Sequence, residues 1–132
     1  KSNLFIFSFQ SFLFDLKRAG LRLVILHAAM CPRFHVDKIP CRLVTTYTGR
    51  GTEWLQHESV DRGKLGAKDR GLSDDQIGVY EHRDDILALN CGDVALLKGE
   101  TWDGNENGGL VHRSPRLTDG DRRLLLTLDF GS

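Results

Sequence analysis

From residue 21 onward the chain is a run of short β-prone stretches, each closed off by Gly, Pro, Asn or Asp. "LRLVILH" (21–27), "CRLVTTYT" (41–48), "TEWL" (52–55), "DVALLKG" (93–99), "GLVHRS" (109–114) and "RRLLLTLDF" (122–130) have the length and residue types of strands. No internal repeat links them, and no Gly-rich phosphate loop opens a helix. Many short strands with tight punctuation predict a mainly all-β fold, a sandwich or jelly roll, rather than a parallel α/β sheet. The 132 residues make one domain, 1–132, large enough to bury a core.

Two segments break the pattern. The opening "KSNLFIFSFQSFLFDLKRAG" carries Phe5, Phe9, Phe12 and Leu16 at helical spacing. Residues 1–19 are therefore expected to form a packing helix, with Gly20 as its C-terminal cap after a basic last turn. Ser, Gln and Asp interrupt the run, which is too short and polar to span a bilayer and lacks a cleavage site. The first residue is Lys, so the chain reads as truncated at its N-terminus. The second segment, 57–85, is polar and glycine-rich. An insert of this length is a surface loop or an active-site lid, and a surface loop is the expectation. Ser73 and Gln76 have capping-box spacing, which predicts a short helix there. "ILAL" (86–89), just after the insert, also reads as helical.

Charge narrows the partners. Lys plus Arg equals Asp plus Glu at 18 each, so neither nucleic acid nor an anionic membrane is expected as the main partner. A small molecule or a protein is the expected substrate. Three cysteines, Cys31, Cys41 and Cys91, form no C-x-x-C pair. The odd count argues against a disulfide framework and for reduced thiols in the cytoplasm.

The chemistry gathers at "CPRFHVDKIP" (31–40). On an extended backbone His35 and Asp37, two apart, point to one face. There they can reach one cation. Two His and a carboxylate on one side of an octahedral ion leave positions open, which suits non-haem Fe(II). A second such pair exists, His82 and Asp84 in "EHRDD". The first is preferred, because it leads into a strand while the second lies in the polar insert. A third ligand must come from a distant strand, and His112 follows His35 by 77 residues but His82 by only 30. Arg122 comes ten residues after His112, where a guanidinium fork can hold a carboxylate. Arg123 replaces it if the strand register slips by one. Tyr47 shares the parity of His35 and Asp37 and is expected to face the cavity if no bulge intervenes. Arg33 shares that parity too, for a substrate anion or an acidic neighbour. His27, His57 and His82 read as structural or solvent-facing. Trp54 and Trp102 read as packing, and Cys31 as a small packing residue.

"HVD", "GDVALLKG" and "HRSP" with Gly120 and Arg122, in that order, resemble the core of the Fe(II)/2-oxoglutarate-dependent oxygenases. The resemblance implies a double-stranded β-helix, a cupin-like jelly roll. It implies Fe(II) held by His35, Asp37 and His112, and 2-oxoglutarate bound through Arg122. Where many of those enzymes carry Gly-Gly-x-Leu after the HxD strand, this chain has "GRGTEWL", so a jelly roll without activity stays open.

A closer resemblance covers about residues 20–130. "AMCPRFHVDKIPCRLVTTYTGRGTEWL", "GDVALLKGETW" and "GLVHRSP…RRLLLTLDF" are similar to a bacterial family of uncharacterised conserved proteins. That family's association with zinc-homeostasis genes implies an alternative: a non-catalytic zinc-binding protein with the same ligands. A structural interaction module without metal is the third reading.

Overall fold

A computed structural model describes residues 18–66 and 71–131. Among these residues seven strands form two antiparallel sheets. They are β1 (Arg18–Leu26), β2 (Cys41–Thr48), β3 (Glu53–Leu55), β4 (Ile86–Ala88), β5 (Val94–Lys98), β6 (Val111–Arg113) and β7 (Arg123–Gly131). The larger sheet has the order β1-β7-β2-β5, and the smaller β4-β3-β6. Among the described residues the strands stay in these two sheets and do not close into a barrel. Among the described residues, no helix is long and apolar enough to cross a membrane.

Side-chain alternation divides the larger sheet into two unlike faces. Its inner face carries Val44, Leu97 and Leu125, buried with Val24, Leu26, Leu89, Ala95 and Leu110. That cluster and the polar groups beside it meet the smaller sheet. Leu43, Leu128 and Phe130 lie on the outer face.

The packing helix expected over 1–19 falls mostly outside the described residues, but its end is corrected. Arg18, Ala19 and Gly20 are the first residues of β1 and pair with Gly131, Phe130 and Asp129. β7 runs nine residues, and pairing along its full length outweighs the capping signal of a lone Gly. "ILAL" is corrected as well. Ile86–Ala88 pairs with β3 along its whole length, because so short a run does not repay helix nucleation.

The described part of the insert is packed, unlike a loose surface loop. Val60, Leu65, Ile77, Val79 and Tyr80 close over Phe34, Leu55 and Val111 on the far side of the smaller sheet. The helix expected near Ser73 is present as α1 (Asp74–Ile77). Its capping box joins Ser73 and Gln76, and Gly78 ends it in the left-handed conformation.

A candidate metal centre between the sheets

The segment around "HVD" is fixed from behind. Phe34 is buried, meets Tyr80 edge-on at 5.8 Å and lies under the Arg113 guanidinium at 4.3 Å. Its backbone N–H donates to the buried Asp74 carboxylate at 2.9 Å. Val36 packs into the same cluster. With Phe34 and Val36 turned toward the insert, alternation sends His35 and Asp37 the other way, between the sheets. The front of the segment is pinned as well. Glu100 N–H donates to the Asp37 carbonyl at 2.9 Å, and Gly99 N–H to that of Pro40. A Cβ on Gly99 would lie 1.8 Å from the Ile39 carbonyl oxygen, so only glycine lets the chains approach this closely.

His112 arrives from β6. His35 and His112 exchange both backbone hydrogen bonds at 3.0 Å, an isolated antiparallel bridge that places their rings 4.6 Å apart. Asp37 completes the set, with His112 Nε2 3.4 Å from its Oδ2 and His35 Nε2 3.7 Å from its Oδ1. One donor atom from each of the three lies within 4.8 Å of the others. A metal about 2.1 Å from each donor would hold neighbours roughly 3.0–3.4 Å apart, so a small contraction fits one.

The hydrogen bonds prepare the imidazoles for this role. His35 Nδ1 donates to the Arg33 carbonyl at 2.8 Å, and His112 Nδ1 to that of Leu110 at 2.9 Å. A carbonyl only accepts, so each neutral ring carries its proton on Nδ1 and leaves the Nε2 lone pair bare. Both nitrogens face the Asp37 carboxylate, which the Arg42 guanidinium also contacts. Asp37 Oδ2 is buried, and it faces Arg42 Nη1 at 3.1 Å and His112 Nε2 at 3.4 Å.

Charge within the site is set by contact. Burial lowers the His35 pKa, and the neighbouring His112 and Arg42 add to this against opposing effects of the Arg33 carbonyl and Asp37. Burial pushes the Asp37 carboxyl up, but His112, Arg42 and His35 together hold it below the usual carboxylate range. Arg42 Nη1 reaches Asp37 Oδ2 at 3.1 Å, and the same guanidinium grips Asp129 through Nε and Nη2. The sequence reading missed Arg42. Its signal was a lone Arg sharing the inward parity of Val44 in an apolar strand.

The same cavity, about 30 Å³, is lined by His35, His112, Arg42, Thr127 and Arg123. Arg123 is 1% exposed and donates to Thr46 Oγ1 and Thr52 Oγ1 at 2.8–3.2 Å. Among the described residues no carboxylate pairs with it, and burial alone pushes its pKa down to about 10. It therefore remains charged near neutrality. Arg122 is exposed, one residue ahead of β7. The register thus puts Arg123, not Arg122, in the cavity. A Cβ on Gly49 would lie 2.3 Å from the Arg122 carbonyl oxygen, so glycine at this turn allows the start of β7 to close in.

The other named residues are not part of the converging set. The β2–β7 register shifts between Thr46 and Thr48, and this bulge turns Tyr47 outward, 54% exposed. Arg33 is exposed and donates to the Leu72 carbonyl. Cys31 lines the cavity with Met30, but the converging set is His35, Asp37 and His112. Trp54 pairs with His112 across β3 and β6. His27, His57 and His82 are exposed.

A comparison with protein families matches residues 6–129 to the family described as "Protein of unknown function (DUF1826)". The chain belongs to that family. Comparison with curated proteins and with solved structures returned no match. Nearly the whole chain falls within the family's span, including the three converging residues, Arg42 and Arg123.

Proposed function

We propose that this chain is a mononuclear metal-dependent oxygenase of the Fe(II)/2-oxoglutarate type, built on a cupin-like jelly roll. One observation carries the reading: His35 and His112 of a converging His-Asp-His set line the same cavity as a buried arginine that, among the described residues, no carboxylate pairs with. His35, Asp37 and His112 would hold the metal. Bound there with its co-substrate, Fe(II) supplies dioxygen-dependent oxidation of a C–H bond. The chain's own part is to position and to neutralise. The Arg33 and Leu110 carbonyls fix both imidazole tautomers. Arg42 orients Asp37 and tempers its charge. Arg123, steadied by Thr46 and Thr52, offers its guanidinium to the far carboxylate of 2-oxoglutarate.

The fit has two parts. The donor set suits the metal. The cavity, at about 30 Å³, is room for about one water and too small for a five-carbon dicarboxylate. Entry of the co-substrate therefore requires its outer wall, the exposed Met30 and Cys31, to swing aside. The small volume also favours a second reading, a zinc-binding protein in metal homeostasis. Two His, one Asp and a single water would complete a tetrahedral Zn(II) site.

Anaerobic reconstitution with Fe(II) and 2-oxoglutarate separates the two. The oxygenase reading expects a weak visible charge-transfer band that His112→Ala removes. Zinc held tightly, with no such band after Fe(II) and 2-oxoglutarate are added, overturns it.

A further inference from the structure

A second cavity, of about 420 Å³, lies on the side of the smaller sheet away from the metal centre. Alternation along β6 turns His112 between the sheets and sends the Arg113 side chain to this far side, over the Phe34 ring. Three carboxylates line the cavity, and each is already engaged. Glu53 accepts from Arg113 Nε at 2.6 Å. Asp74, buried, accepts from the Phe34 N–H at 2.9 Å and from Arg113 Nη1 at 3.5 Å. Asp75 accepts from the Ser73 hydroxyl. The polar groups left over are donors. Arg83, from the 3-10 turn Arg83–Asp85 ahead of β4, and Arg116, just beyond β6, line the same cavity, and both are exposed. Among the described residues neither guanidinium has a hydrogen-bond or ion-pair partner. Tyr80 is 7% exposed, and its hydroxyl has no hydrogen-bond partner among them either. Burial raises its pKa, with Asp75 adding to this and Arg113 and Arg83 opposing it, so the phenol keeps its proton and can donate.

We propose that this cavity binds a small phosphate monoester, with Arg83, Arg116 and the Tyr80 hydroxyl donating to the phosphate and Pro32 and Ile86 beside the organic group. The donors select the ligand class. Two unpaired guanidinium groups bring two positive charges to one cavity, and a phosphate monoester carries about −1.5 to −2 near neutral pH. A carboxylate carries a single charge, and one guanidinium fork satisfies it. The donors also come from three separate places: the turn before β4, the segment after β6 and the end of the insert. A monoester has three unesterified oxygens to meet them, where a carboxylate has two. The size agrees as well. Small-molecule sites run from about 300 to 1,000 Å³, and this cavity is larger than a phosphate alone would fill. Pro32 and Ile86 offer the rest of the ligand an apolar surface. The chain's formal net charge of zero gives no basic field for a polyanion, which favours a small molecule over a nucleic acid. None of these groups belongs to the metal centre, so the site stands or falls without a metal there.

Titration calorimetry on the 132-residue chain tests this, with phenyl phosphate as the probe and benzoate as the carboxylate of matching shape. One saturable site is expected, with benzoate bound at least tenfold more weakly. Arg83→Gln and Arg116→Gln should each weaken phenyl phosphate at least fivefold. Both residues are exposed, so these variants should fold, as circular dichroism would check. Tyr80→Phe keeps the ring that packs on Phe34 and should cost at least threefold. Arg22→Gln removes the same charge from an exposed arginine on β1 and should change the affinity less than twofold. Absence of saturable phenyl phosphate binding up to about 10 mM overturns the assignment. So does an equal loss in Arg22→Gln, which would mean a diffuse effect of charge. Benzoate bound as tightly as phenyl phosphate through the same two arginines also overturns it, because the ligand would then be a carboxylate.

Discussion

The chain contains His-x-Asp twice, and the two copies meet opposite fates. At 35–37 the middle residue is Val36, which packs with Phe34 into the cluster behind the segment. At 82–84 it is Arg83, which is exposed. The first pair is an extended stretch held from both sides, and its polar groups turn toward His112. The second opens a 3-10 turn, where the His82 N–H donates to Asp85 and both His82 and Asp84 point to solvent. The motif alone therefore says little. What turns His35 and Asp37 toward His112 is the apolar residue between them, which commits its neighbours to the opposite face.

The sharpest way to break the contrast is to remove one carboxylate from each copy. Asp37→Ala should weaken divalent metal binding at least 100-fold, since it deletes a donor and leaves two neutral imidazoles beside Arg42. Asp84→Ala should change it less than twofold, and stability by no more than about 0.5 kcal/mol, as for an exposed residue. Titration calorimetry with Fe(II) or Zn(II) on both variants measures the difference. Equal affinities would dissolve the distinction between the copies.

That contrast also marks what a sequence makes readable. β2 occupies the stretch expected of it, 41–48, and His35 and Asp37 turn to one side as their spacing predicts, because both follow local rules, whereas His112 arrives from a distant strand. The arginine beside it was ambiguous by one residue. Facing reverses at every step along a strand, and where β7 begins depends on its partners β1 and β2. The facing of Tyr47 hung on whether a bulge intervenes, and a bulge leaves little trace in residue types. The insert hid its packing because Val60, Leu65, Ile77, Val79 and Tyr80 follow no single period. Gly20 was read as a cap because the pairing that makes it a strand residue lies more than a hundred positions downstream.

Arg123 offers the next largest effect. Arg123→Met removes a buried charge whose hydrogen-bond partners are two hydroxyls. Burying an unpaired charge costs stability, so unfolding should become no easier, within about 1 kcal/mol. Affinity for a carboxylate ligand of the metal-loaded protein should fall at least tenfold, with metal affinity itself little changed. Denaturant titration and ligand titration together check this. A variant that loses stability but keeps carboxylate binding would assign Arg123 to the core rather than to the site.

The smallest effect is the pH dependence of the metal-free chain, and it again sets His35 against His82. Burial depresses the His35 pKa in the folded state. On lowering the pH, the unfolded chain takes up the proton first, near the ordinary value of about 6.5. Over that window the unfolded state binds more protons than the folded one, so stability rises with pH. The chain should hold its full stability above about pH 6.5 and lose some as the pH falls from there toward the lower folded value. Asp37 is also depressed, so its contribution is present above the ordinary carboxylate value and disappears only in more acidic solution. Denaturation midpoints between pH 7.5 and 5 should fall in the unmodified chain and in His82→Gln alike, and flatten in His35→Gln. A flat profile in the unmodified chain would mean that the burial of His35 between the sheets does not govern its proton.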